Sequence, residues 1–301
     1  MDVISKTFHN KKLKRIVNVY QLKYTNGVAQ GLGDYIRGCF CLLQISSLLG
    51  LEFDMDLTNH PMSKFLLQEE SCVKYNANYE TIAKYENVNY VPINATVFKK
   101  DSIRFFREFI NALNLLERDI FFTFCNSLPI FDNYKERGRH FIRSKLAPNE
   151  LMQQKIDSAL IGLTLKSRQF AVIHIRSGDK YMLKNNRLNP FVLKKITGIL
   201  AKNMKLGTNY LILSDNNQIK ILLKKIFPQV IIQMTNIVHL GESASPSDQG
   251  VMETLLDFYI MSNAFQIISF SPYNWGSGFS KWCATLHNIP FIQFQVLDYL
   301  S

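Results

Sequence analysis

Phe170-Ala171-Val172-Ile173-His174-Ile175-Arg176-Ser177-Gly178-Asp179 is the stretch whose reading decides the fold. Its first half is a short apolar run, rich in branched side chains and without a helical period, which reads as a buried strand. The run ends in His174, Arg176 and Asp179. In an open α/β sheet, ligands sit just beyond the carboxyl ends of the strands. A guanidinium at that edge takes two phosphate oxygens at once, which the point charge of a lysine does less well. Asp179, three residues on, is close enough to steady the guanidinium, and His174 is placed to hydrogen-bond a nucleotide. Taken alone, an H-x-R-x-x-D suits equally well a strand end with a surface ion pair and a satisfied histidine.

Outward from this strand, helices and strands alternate. Toward the C-terminus the pattern predicts a helix over 190–204 and a strand over 210–213, closed by Ser214-Asp215-Asn216. A basic helix over 218–227, a strand over 230–233 and a Gly-, Ser- and Pro-rich loop over 241–249 follow. The series ends with a helix (252–263), a strand (266–269), a helix (278–286) and a strand (290–294). Toward the N-terminus, a helix over 151–165 leads into the quoted strand. The polar, basic stretch 133–143, followed by Pro148, reads as a junction between domains. Before it lie a strand at 120–124, a helical period over 101–118, and a Tyr- and Asn-rich segment over 69–94 with short strands. Further back stand a strand at 51–57, a helix over 35–51 and a first strand at 15–23. Such alternation implies right-handed crossovers and parallel sheets covered on both faces. The expected class is α/β, with two Rossmann-like domains, 1–147 and 148–301, facing a cleft.

The chain has 301 residues, is 47% hydrophobic and carries a net charge of +11. That surplus suits nucleic acid, an anionic membrane or a phosphate-bearing ligand. It is dispersed, except for Lys11-Lys12-Leu13-Lys14-Arg15, which reads as a solvated arm. No RNA-binding aromatic signature or zinc-finger spacing accompanies it, so no specific nucleic-acid partner is expected. Five cysteines (Cys39, Cys41, Cys72, Cys125, Cys283) form no C-x-x-C pair and read as reduced, buried thiols. The N-terminus shows no signal-peptide pattern and no run of 18 apolar residues occurs, so a cytoplasmic protein without a transmembrane segment is expected. Asn94-Ala95-Thr96 fits a glycosylation sequon and is taken as chance in that setting.

Two local signals lie in the first half. Gly31 and Gly33, with Asp34, stand between a strand and a long apolar helix, where backbone amides approach a ligand and the helix start attracts anions. Arg37-Gly38 follows, so the spacing is neither a full G-x-G-x-x-G nor a Walker A loop. Asp54-Met55-Asp56 closes the strand after that helix. Alternate strand residues share a face, so both carboxylates can reach one divalent ion. Two acids at this spacing also occur often by chance, and no metal is expected.

With both halves laid out, the chain resembles the GDP-fucose-dependent fucosyltransferases, the superfamily of α-1,6-, NodZ-type, plant xyloglucan and protein O-fucosyltransferases. Three blocks carry the resemblance. They are Gly31-Leu32-Gly33-Asp34-Tyr35-Ile36-Arg37-Gly38, the His174/Arg176/Asp179 block, and Leu256-Asp257 with its helix, a strand at Ile267-Ile268 and Ser277-Gly278-Phe279-Ser280. The resemblance implies a GT-B-like fold and a glycosyltransferase acting with inversion and without an obligatory metal or other cofactor. The donor would be a GDP-sugar, with L-fucose the expected sugar, and the acceptor a glycan hydroxyl. It further implies that Arg176 binds the diphosphate, Asp179 steadies it and His174 lies against the nucleotide. Asp257 would accept hydrogen bonds from the guanine edge, while Ser277, Gly278 and nearby amides meet phosphate oxygens. Gly31, Gly33 and Arg37 would belong to the substrate side, and Ser214-Asp215 is a further candidate for ribose or base contact. Asp34 is the first candidate for the base that takes the acceptor proton, followed by Asp54 and Asp56.

The sequence departs from the family in three respects. It lacks the stem, membrane anchor and disulfides of Golgi members. The α-1,6 enzymes carry a glutamate soon after the arginine block, where Lys184 or Asn185 stands here. The stretch 269–275 lengthens the turn before Ser277. The same scaffold would also serve another donor, such as a xylose, rhamnose or galactose nucleotide. A nucleotide- or glycan-binding module without turnover, and a basic nucleic-acid-binding protein, are the alternatives from other classes.

Overall fold

The computed structural model describes residues 13–20, 23–24, 27–28, 31–67, 120–123, 125–177, 183–184, 187–238, 240 and 246–297. Several expectations lie outside the described residues: Asp179, Lys11-Lys12, Cys72, Asn185, the segments 69–94 and 101–118, the sequon at Asn94, and most of the loop 241–249. The chain divides into two compact units, Met1–Ala147 with Leu240–Ser245, and Pro148–His239 with Pro246–Ser301.

In the first unit, β1 (Arg15–Val19), β4 (Glu52–Asp56) and β5 (Ile120–Thr123) form a parallel sheet in the order β4-β1-β5. A short antiparallel pair, β2 (Lys23–Tyr24) and β3 (Gly27–Val28), follows β1. Helix α1 (Leu32–Leu49) covers one face, where Ile16 and Phe121 pack with Cys41, Leu42 and Ile45. It begins three residues before the start predicted at 35. Gly31 is its N-cap, and Gly33 and Asp34 occupy its first turn, where a carboxylate complements the helix dipole. It stops at Gly50, whose φ of 66° suits a residue without a Cβ.

The predicted junction over 133–143 is overturned, because α2 (Glu136–Lys145) occupies most of it. The stretch is polar because it buries only Gly138 and Ile142, while Glu136 pairs with Arg139 and Arg143 along its surface. Phe141 meets Phe53 of β4 (ring centroids 5.8 Å apart), so the helix belongs to the first unit.

The second unit carries α3 (Glu150–Gly162), β6 (Phe170–Ile175), a short antiparallel pair β7 (Leu183–Lys184) and β8 (Arg187–Leu188), and α4 (Pro190–Asn203). Next come β9 (Asn209–Ser214), α5 (Asn217–Ile226), β10 (Ile231–Ile232), α6 (Asp248–Ser262), β11 (Gln266–Ser271), α7 (Gly278–His287) and β12 (Phe291–Gln295). Five of these strands form one parallel sheet in the order β10-β9-β6-β11-β12. The quoted strand is therefore central, and all six of its residues are buried. Its alternate residues Ala171, Ile173 and Ile175 pack with Val192, Ile196 and Leu200 of α4 and Ile219 and Leu223 of α5. The other set includes His174, whose ring lies 5.8 Å from that of Phe279 on α7.

The α/β class expected from the sequence is the one found. Cys39, Cys41, Cys125 and Cys283 are buried free thiols. Among the described residues, no helix is long and apolar enough to cross a membrane.

Candidate functional site

The strand order of the second unit reverses at β6. The chain runs from β6 outward to β9 and β10, then returns to β11 on the other side. With right-handed crossovers, helices leave on opposite faces there and open a crevice beyond the carboxyl ends of β6 and β11. Arg176 is the first residue past β6. It is half-buried, and its backbone N–H donates to the Phe270 carbonyl of β11 at 3.0 Å, so the arginine is anchored at the reversal itself.

Behind it, Ser177 donates from both its backbone N and its hydroxyl to Asp215 Oδ1, at 2.7 and 2.6 Å. Asp215 thus ties the turn after β9 to the turn after β6. Ser214 is buried, and its hydroxyl accepts from Asn216 N at 3.2 Å. These two candidates for a ribose or base contact therefore also build the rim.

Three polar atoms around Arg176 are buried and have no hydrogen-bond partner among the described residues: His174 Nδ1, Asp257 Oδ1 and Ser277 Oγ. Burial lowers the His174 pKa to about 4, with Asp215 opposing and Arg176 assisting, so the imidazole is neutral near pH 7. Ser277 sits at the N-cap of α7 and is 1% exposed, yet its side chain caps nothing. The helices α3, α4, α5 and α6 are each capped by an Asn or Ser side chain. The first amides of α7, beginning at Gly278, are left with the dipole's positive end and no side-chain cap.

Asp257 lies on α6 and is 2% exposed, which overturns the alternative that it sits on a solvated helix face. Burial raises its carboxyl to a pKa of about 7, against the pull of Lys220. Its Oδ2 accepts from the Thr235 hydroxyl at 3.4 Å. Neither Thr235 nor Lys220 was singled out by the sequence pattern. Lys220 reads as one of several cations on a basic helix, and the available signal is its place beside Ile219 and Leu223 on the apolar stripe.

In the first unit, the sequence candidates bind one another. Asp34 pairs with Arg37 one turn on (3.2 Å), and Arg37 Nε also donates to the Asn126 carbonyl. Gly31 and Gly33 open the helix. A Cβ at Gly38 would lie 1.5 Å from the Cys125 carbonyl oxygen, so this glycine lets α1 cross the end of β5. Asp54 accepts from Met55 N and pairs with Lys145 at 2.9 Å. Asp56 Oδ1 accepts from Thr58 N, while Oδ2 is buried without a partner, and burial raises its pKa. Tyr20 is stacked between His60 and Tyr35, with ring centroids 4.0 and 4.3 Å away. Among the described residues, no three His, Cys, Asp or Glu side chains gather where they could hold a metal ion.

Two α/β units, with an open anion-seeking edge in the second, define a protein of the doubly wound, nucleotide-site kind. No family model and no curated protein sequence matches the chain. Solved structures do match it, over both units. NodZ α-1,6-fucosyltransferase soaked with GDP-fucose aligns with a TM-score of 0.56 at 13% identity, over 94% of this chain and 95% of that one. Fucosyltransferase NodZ from Bradyrhizobium gives 0.53 at 13% identity, over 94% and 96%. A mutant of Arabidopsis thaliana FUT1 in complex with GDP gives 0.60 at 12% identity, over 93% and 70%. The likeness at this identity is one of fold, and it is the fold that the sequence blocks implied.

Proposed function

We propose that this chain is a glycosyltransferase that moves a sugar, L-fucose, from GDP-fucose to a hydroxyl of a glycan, with inversion and without an obligatory metal. The observation that carries this reading is the trio of unpartnered buried atoms, His174 Nδ1, Asp257 Oδ1 and Ser277 Oγ, around Arg176 at the reversal point. Each buried orphan costs about 1–3 kcal/mol, so three in one crevice mark groups that a ligand is meant to satisfy. Their chemistry suits a guanosine diphosphate. An ionised Asp257 only accepts, and guanine offers N1–H and N2–H side by side. Ser277 and the start of α7 meet one phosphate, Arg176 bridges the pair, and Asp179 is assigned to steady the arginine.

During transfer the bond from the anomeric carbon to the phosphate oxygen breaks, and its electron pair stays with the diphosphate. Arg176 and the α7 amides stabilise that growing charge. The acceptor oxygen attacks from the opposite face, which inverts the centre, and its proton goes to a carboxylate. Asp34 and Asp54 already hold cations, whereas Asp56 keeps a free oxygen and a raised pKa. Asp56 is therefore the better proton acceptor of the three, ahead of Asp34.

A second reading, a GDP-binding module without turnover, is favoured by Lys184 or Asn185 standing where the α-1,6 enzymes carry a glutamate. Calorimetry with GDP, ADP and UDP, followed by hydrolysis of a donor panel with and without EDTA, tests both. GDP should bind tightest, and GDP-fucose should be consumed in EDTA. Equal binding of all three nucleotides would sink the proposal. GDP binding without consumption of any GDP-sugar would select the module, and loss of activity in EDTA restored by manganese would return the D-x-D pair to the mechanism.

A further inference from the structure

Lys220 has no accessible surface, although it sits on a helix whose other lysines reach solvent. Burying an ammonium costs several kcal/mol unless its protons are all directed at acceptors. Two acceptors are provided by the chain leaving β10: the Gln233 carbonyl at 2.8 Å and the Thr235 hydroxyl oxygen at 2.9 Å. An ammonium can only donate, so Thr235 Oγ1 must accept from it, and the hydroxyl proton is left for another partner. That partner is Asp257 Oδ2, at 3.4 Å.

The chain Lys220–Thr235–Asp257 is therefore directional, from α5 through the loop to α6. The loop is pinned at both ends. Asn217 Nδ2 donates to the Thr235 carbonyl at 3.0 Å, and Val238 N donates to Thr254 Oγ1 at 3.1 Å. Asp257 Oδ1 is left over, buried and unused. Other charges act on the same group of residues. Glu253 opposes the Asp257 charge, Glu253 and Asp215 both favour that of Lys220, and Arg176 acts on His174.

We infer that Lys220 is a positioning residue for base recognition, which through Thr235 orients Asp257, keeps it ionised and so sets the preference for guanine. The inference rests on the proposal that Asp257 meets the base. Its chemistry is specific. An ionised carboxylate accepts twice and matches the N1–H and N2–H of guanine. A protonated carboxyl donates once and accepts once, and matches adenine, whose N1 accepts and whose amino group donates. Losing the Lys220 charge should therefore change which base fits.

The test uses Lys220→Met and the near-isosteric Thr235→Val, with GDP and ADP titrated by calorimetry between pH 6 and 9. At pH 7, Lys220→Met should weaken GDP at least tenfold and leave ADP unchanged or tighter, with part of the GDP loss recovered at pH 9. Thr235→Val should weaken GDP about threefold to tenfold, and it carries the test if Lys220→Met does not fold. A readout without nucleotide runs beside these: carbon NMR of labelled aspartate, with the Asp257 signal assigned through Asp257→Asn. Its titration midpoint should rise by about one pH unit or more in Lys220→Met. Wild-type protein that does not prefer GDP would defeat the proposed function, while the carboxyl titration would still decide whether Lys220 sets the Asp257 charge. Variants with wild-type preference at every pH and an unmoved midpoint would overturn the inference. So would an equal, pH-independent loss of both nucleotides, which marks a scaffold role only.

Discussion

The two units end their central strands differently. Beyond β1, polar groups are consumed inside the protein. Asn18 accepts from Cys125 N at 2.9 Å through its side chain and from the Tyr35 hydroxyl at 2.9 Å through its carbonyl. Asp34 and Arg37 hold each other, and His60 accepts from Met62 N. Beyond β6, His174, Asp257 and Ser277 each keep a buried atom unspent. Similar sheet topology thus yields a self-satisfied edge in one unit and an unsatisfied one in the other. The location of a ligand is written in what the fold leaves unpaired, more than in the fold itself.

The comparison can be broken first at Gly38. Gly38→Ala should destabilise the first unit by about 3 kcal/mol or more, since its Cβ would collide with the Cys125 carbonyl, and neither backbone can easily yield. Thermal melts should show that loss, and a melt like wild type would refute the close crossing.

Acid sharpens the contrast next. Burial holds both His60 and His174 near 4, below the ordinary 6.5. Between these values the unfolded chain takes up protons that the folded one refuses. Their contribution, on the order of 3 kcal/mol each, is complete above pH 6.5 and lost as the pH falls toward 4. His60→Gln and His174→Gln should each flatten that acid loss in denaturant titrations. Only His174→Gln should also weaken GDP, and an equal effect of both on GDP would erase the distinction.

Arg176→Lys keeps the charge and removes the planar fork. Because the charge on the departing diphosphate grows during the reaction, kcat/KM should fall about a hundredfold, with turnover suffering more than donor affinity. Wild-type turnover in this variant would remove the phosphate role from the edge of β6.

The smallest effects separate two serines. Ser247 caps α6 by accepting from Gly250 N at 3.1 Å, so Ser247→Ala should cost about 1 kcal/mol of stability and leave GDP binding alone. Ser277→Ala should cost almost no stability, because its hydroxyl caps nothing, yet weaken GDP about fivefold. A reversed pattern would make Ser277 an ordinary cap.

Much of this was legible in the sequence, and the failures have physical causes. Parallel strands buried on both faces give apolar runs that need no partner to recognise, which is why β6 and the alternation around it could be placed. Helix α2 was invisible because its sequence carries a charge ladder where a linker's polarity was expected. The first glycines were credited with holding a ligand loop open. In the structure Gly33 is inside α1, and Gly38 serves close packing. His174 and Asp257 could be named, but a side chain's isolation is a property of its surroundings. Lys220 shows the limit most clearly, since nothing local distinguishes a buried cation from its solvated neighbours Lys224 and Lys225.

The central position of β6 has one further consequence, for the chain as it is made. Its two neighbours, β9 and β11, both come later in the sequence, and β11 is the more distant. At roughly 5–20 residues per second, the about 90 residues between Ile175 and Gln266 take on the order of 5–20 s to synthesise. Through that interval one side of a wholly apolar strand has no mate, so the nascent chain carries an open, adhesive ribbon edge. The strand that later centres the sheet is, on the ribosome, the part with most need of a chaperone.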